Sequence, residues 1–191
     1  LIGGEALSYQ LTKKLVCSIN RPQHVINGYG PTENTTFSCT YNIQGINLEG
    51  LTTISIGKPL NNRSAYVLDH NCNPLPLGAI GELYVGGDGL ARGYLNNPEL
   101  TEERFIVNPC QTDEEKQQGK NARLYKTGDL VRYLPDGNIE YIGRNDFQVK
   151  IRGYRIELGE IETALQNYPG IKQAVVLARE HGQANNELTV I

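Results

Sequence analysis

Apolar residues in the first forty positions follow two different periods. Leu11, Leu15 and Ile19 recur every four residues behind Ser8, a good helix-capping type, so the spacing predicts a helix over 8–19. Residues 25–41 begin apolar and pass into a Gly/Pro/Thr-rich stretch, the pattern of a strand running into a tight loop. From 54 to 95 short strands dominate. Ser64–Asp69 and Gly81–Gly86 are β-rich, with a Pro/Asn-rich turn over 71–76 between them. Asn97-Pro98 predicts a helix start, with Asn as cap and Pro at the first helical position. Residues 111–122 are polar throughout and are predicted as a surface loop. Leu130–Leu134 and Ile139–Ile142 flank Pro135-Asp136-Gly137-Asn138, a hairpin with turn chemistry at its tip. A second hairpin is expected over 147–156, turning near Gly153. Leu158, Ile161 and Leu165 then mark a helix from Glu157 to Tyr168 that Pro169-Gly170 ends. Ala174–Leu177 is predicted as a buried strand, and Leu188–Ile191 as another strand. A β-rich body followed by hairpin, helix and strand gives an α+β chain in two units, 1–145 and 146–191.

Composition narrows the class. The chain has 191 residues, 39% hydrophobic and 20% charged, which suits a globular protein with a sizeable core. Eighteen basic against 21 acidic residues leave a net charge of −3, so no partnership with nucleic acid or an anionic membrane is expected. No apolar run approaches the ~20 residues that span a bilayer. The cysteines Cys17, Cys39, Cys72 and Cys110 are scattered without a C-x-x-C, so neither a disulfide framework nor a zinc site is expected; reduced thiols and a cytoplasmic location are. The absence of Met, and a start inside the apolar run Leu1-Ile2-Gly3-Gly4, suggest an internal piece of a longer chain.

Four segments carry candidate chemistry, and each has an ordinary explanation beside it. Gly86–Gly93 resembles a dinucleotide loop, but Arg92 stands where the third glycine belongs, so a structural turn is favoured. In Tyr29-Gly30-Pro31-Thr32-Glu33, Gly30 permits close approach of a ligand, and the adjacent hydroxyl and carboxylate can take a phosphate oxygen and Mg²⁺; a polar turn explains it equally. Thr127-Gly128-Asp129 offers a carboxylate that can accept two ribose hydroxyls, or is a turn aspartate. Lys150, Arg152 and Arg155 form a basic cluster on the second hairpin, or a solvated strand face. His24, His70 and His181 are isolated, so no triad or zinc site is assigned.

The order of these segments carries a resemblance. Asn27–Glu33, Gly81–Leu95, Tyr125–Leu130 and the twenty consecutive residues Gly143–Glu162 resemble the adenylation domain of nonribosomal peptide synthetases, within the adenylate-forming superfamily. The resemblance covers essentially the whole chain. It implies the C-terminal part of the large subdomain, including its β-barrel-like portion, over 1–145, then the hinge and the start of the small α/β subdomain over 146–191. It implies an amino-acid substrate, ATP with Mg²⁺, formation of an aminoacyl-AMP, and transfer to the phosphopantetheine thiol of a peptidyl carrier domain among neighbouring synthetase domains. A free-standing acyl- or aryl-CoA ligase is the alternative within the superfamily, and a degenerate non-catalytic domain the alternative outside it.

By position, the resemblance gives Thr32 the α-phosphate and Glu33 the Mg²⁺. Tyr29 would pack on the adenine, with Gly4 and Glu5 on its other side and Asn27 at its amino group. Asp129 would hold the ribose, with Tyr141 nearby and Arg144 reaching the nucleotide. Asp146 matches the hinge, and the loop around Gly153 the pantetheine channel. Leu1, Gly3, Gly28, Thr36 and Phe37 match pocket positions and resemble a set for valine or a similar small aliphatic amino acid such as isoleucine. The phosphate loop and the catalytic lysine of the family would lie outside these residues, so the 191-residue piece alone is expected to be inactive.

Overall fold

The computed structural model describes residues 1–43, 53–146, 148–151, 154–181 and 185–190. Arg152 and Gly153 of the basic hairpin lie outside the described residues. Two compact units follow one another, Leu1–Asn145 and Asp146–Ile191. Among the described residues no helix is long and apolar enough to cross a membrane.

The first unit contains two sheets. The smaller joins β1 (Ile2–Gly3), β2 (Ile26–Tyr29), β3 (Cys39–Asn42) and β4 (Lys58–Pro59) in chain order. β1 runs parallel to β2, and the other pairs are antiparallel. Helix α1 (Tyr9–Val16) connects β1 to β2, and Ser8 caps it by accepting from Leu11 N. This helix is shorter than 8–19. Thr12 is its buried residue, Leu15 and Val16 pack toward Val25, Ile43 and Ile54, and Leu11 is exposed. A four-residue repeat drifts about 40° around a helix at each step, and Ile19 falls beyond the last turn.

The larger sheet holds β5 (Arg63–Leu68), β6 (Gly81–Gly87), β7 (Phe105–Val107), β8 (Arg123–Tyr133) and β9 (Ile139–Arg144). β8 is long enough to pair β7 along its first part and β9 along its second, with β6 on its other side. Alternation sorts the side chains. Ala65, Val67, Leu83, Val85, Tyr125 and Val131 join Cys39, Ile56, Phe105 and Ile139 in the main core. Leu68, Tyr84 and Leu124 form a separate cluster on the opposite face. Register shifts between Glu82 and Tyr84 and between Leu130 and Val131 interrupt the ladder, and bulges of this kind curl a sheet.

Helix α2 (Pro98–Arg104) begins as expected, with Asn97 capping Leu100 N and Pro98 in the first turn. The expected loop over 111–122 contains a helix instead, α3 (Asp113–Gln118). Thr112 and Glu115 close a reciprocal capping box, and Gly119 ends the helix in the left-handed region at φ 63°. No apolar period announces α3; its T-x-x-E signature and acidic first turn do. All four cysteines are free thiols, and burial pushes that of Cys39 up to about 12.

The β8–β9 turn gives a pH-dependent prediction. Asp136 accepts from Asn138 N at 3.0 Å and from Asn138 Nδ2 at 2.7 Å. These bonds, the backbone one foremost, hold its carboxyl below the usual aspartate range. A lowered folded pKa supplies turn stability above the ordinary aspartate pKa of about 3.9 that is lost as pH falls through the folded value. Carboxyl-carbon NMR of Asp136 should show that low midpoint, and Asp136→Ala should speed amide exchange at Asn138. A midpoint at or above the ordinary value would refute the assignment.

The second unit contains the hairpin β10 (Val149–Ile151) and β11 (Tyr154–Ile156), helix α4 (Leu158–Gln166), and the antiparallel pair β12 (Val176–His181) and β13 (Asn185–Val190). Glu162 Oε1 accepts from Val176 N at 2.9 Å, tying α4 to β12. The segment 174–177 is not buried on both faces as expected. Ala174 and Val176 are buried, while Val175 and Leu177 are about two-fifths exposed, the alternation of a strand with one covered face.

Candidate active site

β2 lies between β1 and β3 and carries Asn27, Gly28 and Tyr29, with Gly28 pointing opposite to its neighbours. A methyl group on Gly28 would sit 2.7 Å from Phe37 Cε1 and 3.1 Å from Leu1 Cδ1, so Leu1, Gly28 and Phe37 converge. Gly3 packs on the same strand; a methyl there would sit 2.1 Å from Gly28 O. Thr35 and Thr36 have φ of 50° and 62°, a conformation that β-branched residues rarely adopt and that clusters at functional sites. Thr36 is exposed, immediately before Phe37.

The Tyr29 hydroxyl donates to Asp129 Oδ2, and Arg144 Nη1 donates to Asp129 Oδ1 at 2.7 Å. Arg144 Nη2 also reaches Thr127 O at 3.2 Å. Thr127-Gly128-Asp129 is not a turn before a strand. It sits inside β8 at the register shift opposite Leu83, with Gly128 at φ 77°. Thr127 Oγ1 bridges Leu83 O at 2.7 Å and Asp129 N at 3.0 Å, fixing the bulge. Such a bulge re-aims a side chain, here the Asp129 carboxylate toward β2. Burial foremost, then the Asp129 charge, holds the Tyr29 phenol well above its usual range, so it stays a neutral donor. Asn27 is buried and donates Nδ2 to Ser55 O at 2.8 Å, which leaves Oδ1 as its acceptor end. Tyr141 packs against the main core, and Gly4 and Glu5 lie exposed just past β1.

After Tyr29 the chain makes a 3₁₀ turn over Thr32–Asn34. Thr32 is exposed and Glu33 is buried. Glu33 Oε1 accepts from Tyr94 Oη at 2.7 Å and Tyr125 Oη at 2.9 Å. Burial foremost, with the bonds to Tyr125 and Glu33, pushes the Tyr94 phenol far up. The Gly86–Gly93 segment is a structural turn that braces this one: Gly89 O accepts from Thr35 Oγ1 at 2.7 Å, and Ala91 N donates to Glu33 O at 2.8 Å. Arg123 holds the brace by donating to Arg92 O and Ala91 O. The roles of Tyr94, Tyr125 and Arg123 escape the sequence pattern. Both tyrosines stand in segments that carry the family resemblance, but only the fold reveals their hydroxyls turned toward Glu33.

Among the described residues, no group of three His, Cys, Asp or Glu could hold a metal ion. A single buried carboxylate such as Glu33 suits a Mg²⁺ ion only where phosphate oxygens and water complete its shell. In the second unit, Asp146 Oδ1 accepts from Gln148 N at 3.2 Å. Lys150 pairs across the hairpin with Arg155, and Glu157 offsets that like-charge pair through a 3.2 Å bond from Arg155.

Known proteins are similar to this chain in sequence and in fold. A family model described as AMP-binding enzyme matches residues 1–95. A linear gramicidin synthase of Brevibacillus parabrevis is 54% identical over 188 residues, covering 98% of this chain and 2% of that protein. N-(5-amino-5-carboxypentanoyl)-L-cysteinyl-D-valine synthase of Amycolatopsis lactamdurans is 53% identical over 164 residues, covering 84% of this chain and 4% of that protein. Among solved structures, PA1221, described as an NRPS protein containing adenylation and PCP domains, superposes with a TM-score of 0.84 at 34% identity, over 98% of this chain and 36% of that one. The chain therefore spans only a few hundredths of the length of these curated relatives.

Proposed function

Since this chain belongs to the AMP-binding enzyme family, as an adenylation-domain portion similar to those of nonribosomal peptide synthetases, we propose that the protein containing it activates an amino acid with ATP. The product would be an aminoacyl-AMP, passed to the phosphopantetheine thiol of a carrier domain. The observation that carries this is the Tyr29–Asp129–Arg144 network, whose Tyr29 stands three residues before Thr32 and four before a tyrosine-held Glu33. A carboxylate offers about four acceptor sites, so Asp129 can take ribose hydroxyls alongside its protein donors. The Tyr29 ring would pack on the adenine, with Gly4 and Glu5 across from it, Asn27 Oδ1 at its amino group, Tyr141 alongside and Arg144 toward the nucleotide.

Thr32, exposed at the start of the 3₁₀ turn, would donate to the α-phosphate, and Glu33 would hold Mg²⁺. The cation, when bound, neutralises phosphate charge as the amino-acid carboxylate attacks. The protein supplies the positioning: a fixed adenosine end and a fixed carboxylate place the α-phosphate between them. Asp146, first residue of the second unit, would be the hinge through which that unit changes orientation between the two half-reactions.

Leu1, Gly3, Gly28, Thr36 and Phe37 would line the amino-acid pocket, and two glycines with an aliphatic and an aromatic wall suit valine. The similarity to a synthase whose name includes D-valine supports a small aliphatic substrate. ATP–pyrophosphate exchange by the full-length protein across an amino-acid panel should favour valine. Neighbours differing by one methylene should follow within about 10–200-fold. Gly28→Ala should press on Phe37 and shift the preference toward smaller side chains. Exchange driven by aryl or fatty acids alone would refute this function.

A further inference from the structure

The hydroxyls of Tyr94 and Tyr125 reach Glu33 from unrelated parts of the chain. Tyr94 follows the brace loop, and Tyr125 lies in β8 with only 1% of its surface exposed. Both bonds converge on Oε1, and the two hydroxyl oxygens are 3.3 Å apart. The rings are fixed independently of Glu33. Phe105 packs edge-on against Tyr94 with centroids 5.5 Å apart, and tilted against Tyr125 at 5.2 Å. Arg123 lies 5.8 Å from the Phe105 ring while holding the brace loop. Two hydroxyls thus converge on one carboxylate oxygen, with Phe105 packed against both of their rings. A glutamate side chain has three rotatable bonds, and two donors at one oxygen restrict them to a single orientation.

We propose that Tyr94 and Tyr125 are positioning residues that fix the Glu33 carboxylate for a divalent cation bound with the nucleotide. This rests on the adenylating function proposed above. Neither tyrosine is assigned to the cation itself; both act through Glu33, as partners behind a metal ligand do.

The test uses the full-length protein, with Mn²⁺ as the spectroscopic probe and a non-hydrolysable ATP analogue as its companion. Mn²⁺ affinity is read by electron paramagnetic resonance, and analogue binding is measured separately in EDTA. Tyr94→Phe removes one hydroxyl and keeps the ring on Phe105. It should weaken Mn²⁺ about 10–100-fold, leave metal-free analogue binding unchanged, and regain exchange activity at high Mn²⁺. Tyr125→Phe should behave alike. Mn²⁺ affinity within about twofold of wild type in both variants would overturn the proposal, as would parallel loss of metal-free binding or of the cooperative melt. Glu33→Gln separates the two levels. Wild-type Mn²⁺ affinity in that variant refutes the metal assignment itself, whereas weakened affinity there with unchanged tyrosine variants refutes only the positioning role.

Discussion

Asp129→Asn is expected to loosen the β8–β9 pairing at its Asp129–Arg144 end by about 3–5 kcal/mol, the cost of stranding one member of a buried ion pair. The side chains of Asp129 and Arg144 are 7% and 12% exposed, so solvent screens them little. The amide keeps the shape of the carboxylate but must turn its NH₂ toward either the Tyr29 hydroxyl or the Arg144 guanidinium, both donors in the wild type. The guanidinium then keeps its charge in a nearly closed site, with Thr127 O still accepting from it. Hydrogen exchange in the full-length protein reads the loss locally, as protection at β8 and β9 amides. Pairing Asp129→Leu with Arg144→Met removes both charges and should restore much of it. A loss under about 1 kcal/mol in Asp129→Asn would place the pair with ordinary surface salt bridges. If Asp129 holds the ribose as proposed, nucleotide binding should fall in all these variants, including the restored one, because the double substitution recovers stability without the carboxylate.

Much of the fold is legible in the chain because strand alternation and turn chemistry are local. Pro135-Asp136-Gly137-Asn138 fixes its hairpin, and Asn97-Pro98 its helix start, with no tertiary help. The helix α3 is hidden because it has no apolar face, so only its capping box marks it. Ile19 misleads because the four-residue repeat continues past the helix. In the site, Asp129 stands out as a carboxylate beside Gly128, and Glu33 as one next to Thr32 in a Gly/Pro loop. What surrounds them does not: the bulge that aims Asp129 depends on pairing with Leu83 across the sheet, and Tyr125 lies 92 residues from Glu33 in sequence. Tyrosine is common in strands, and nothing local distinguishes one whose ring fills a core from one whose hydroxyl also holds a carboxylate.

Glu33→Gln should separate charge from frame. The amide retains an oxygen that can accept from both tyrosines, so Tyr94 and Tyr125 stay packed against Phe105 and the brace from Ala91 N to Glu33 O, a backbone bond, is untouched. The stability cost should be about 1–3 kcal/mol, that of fitting a buried NH₂ where a carboxylate oxygen stood. The negative charge is gone, and with it the cation ligand proposed for Glu33. ATP–pyrophosphate exchange by the full-length protein should therefore fall about 10²–10³-fold, comparable with removing one preorganised electrostatic contact to a transition state. Glu33→Ala gives the contrasting case. It strips both hydroxyls of their acceptor and opens a space beside Tyr125, so it should cost more stability than Gln while costing no more exchange activity. If Gln instead retained exchange within about threefold of wild type, the carboxylate would be a structural acceptor for two tyrosines and nothing more. If Gln and Ala lost activity in proportion to stability, the frame alone would matter. Only a Gln variant that melts close to wild type yet barely exchanges places the charge of Glu33 at the phosphates.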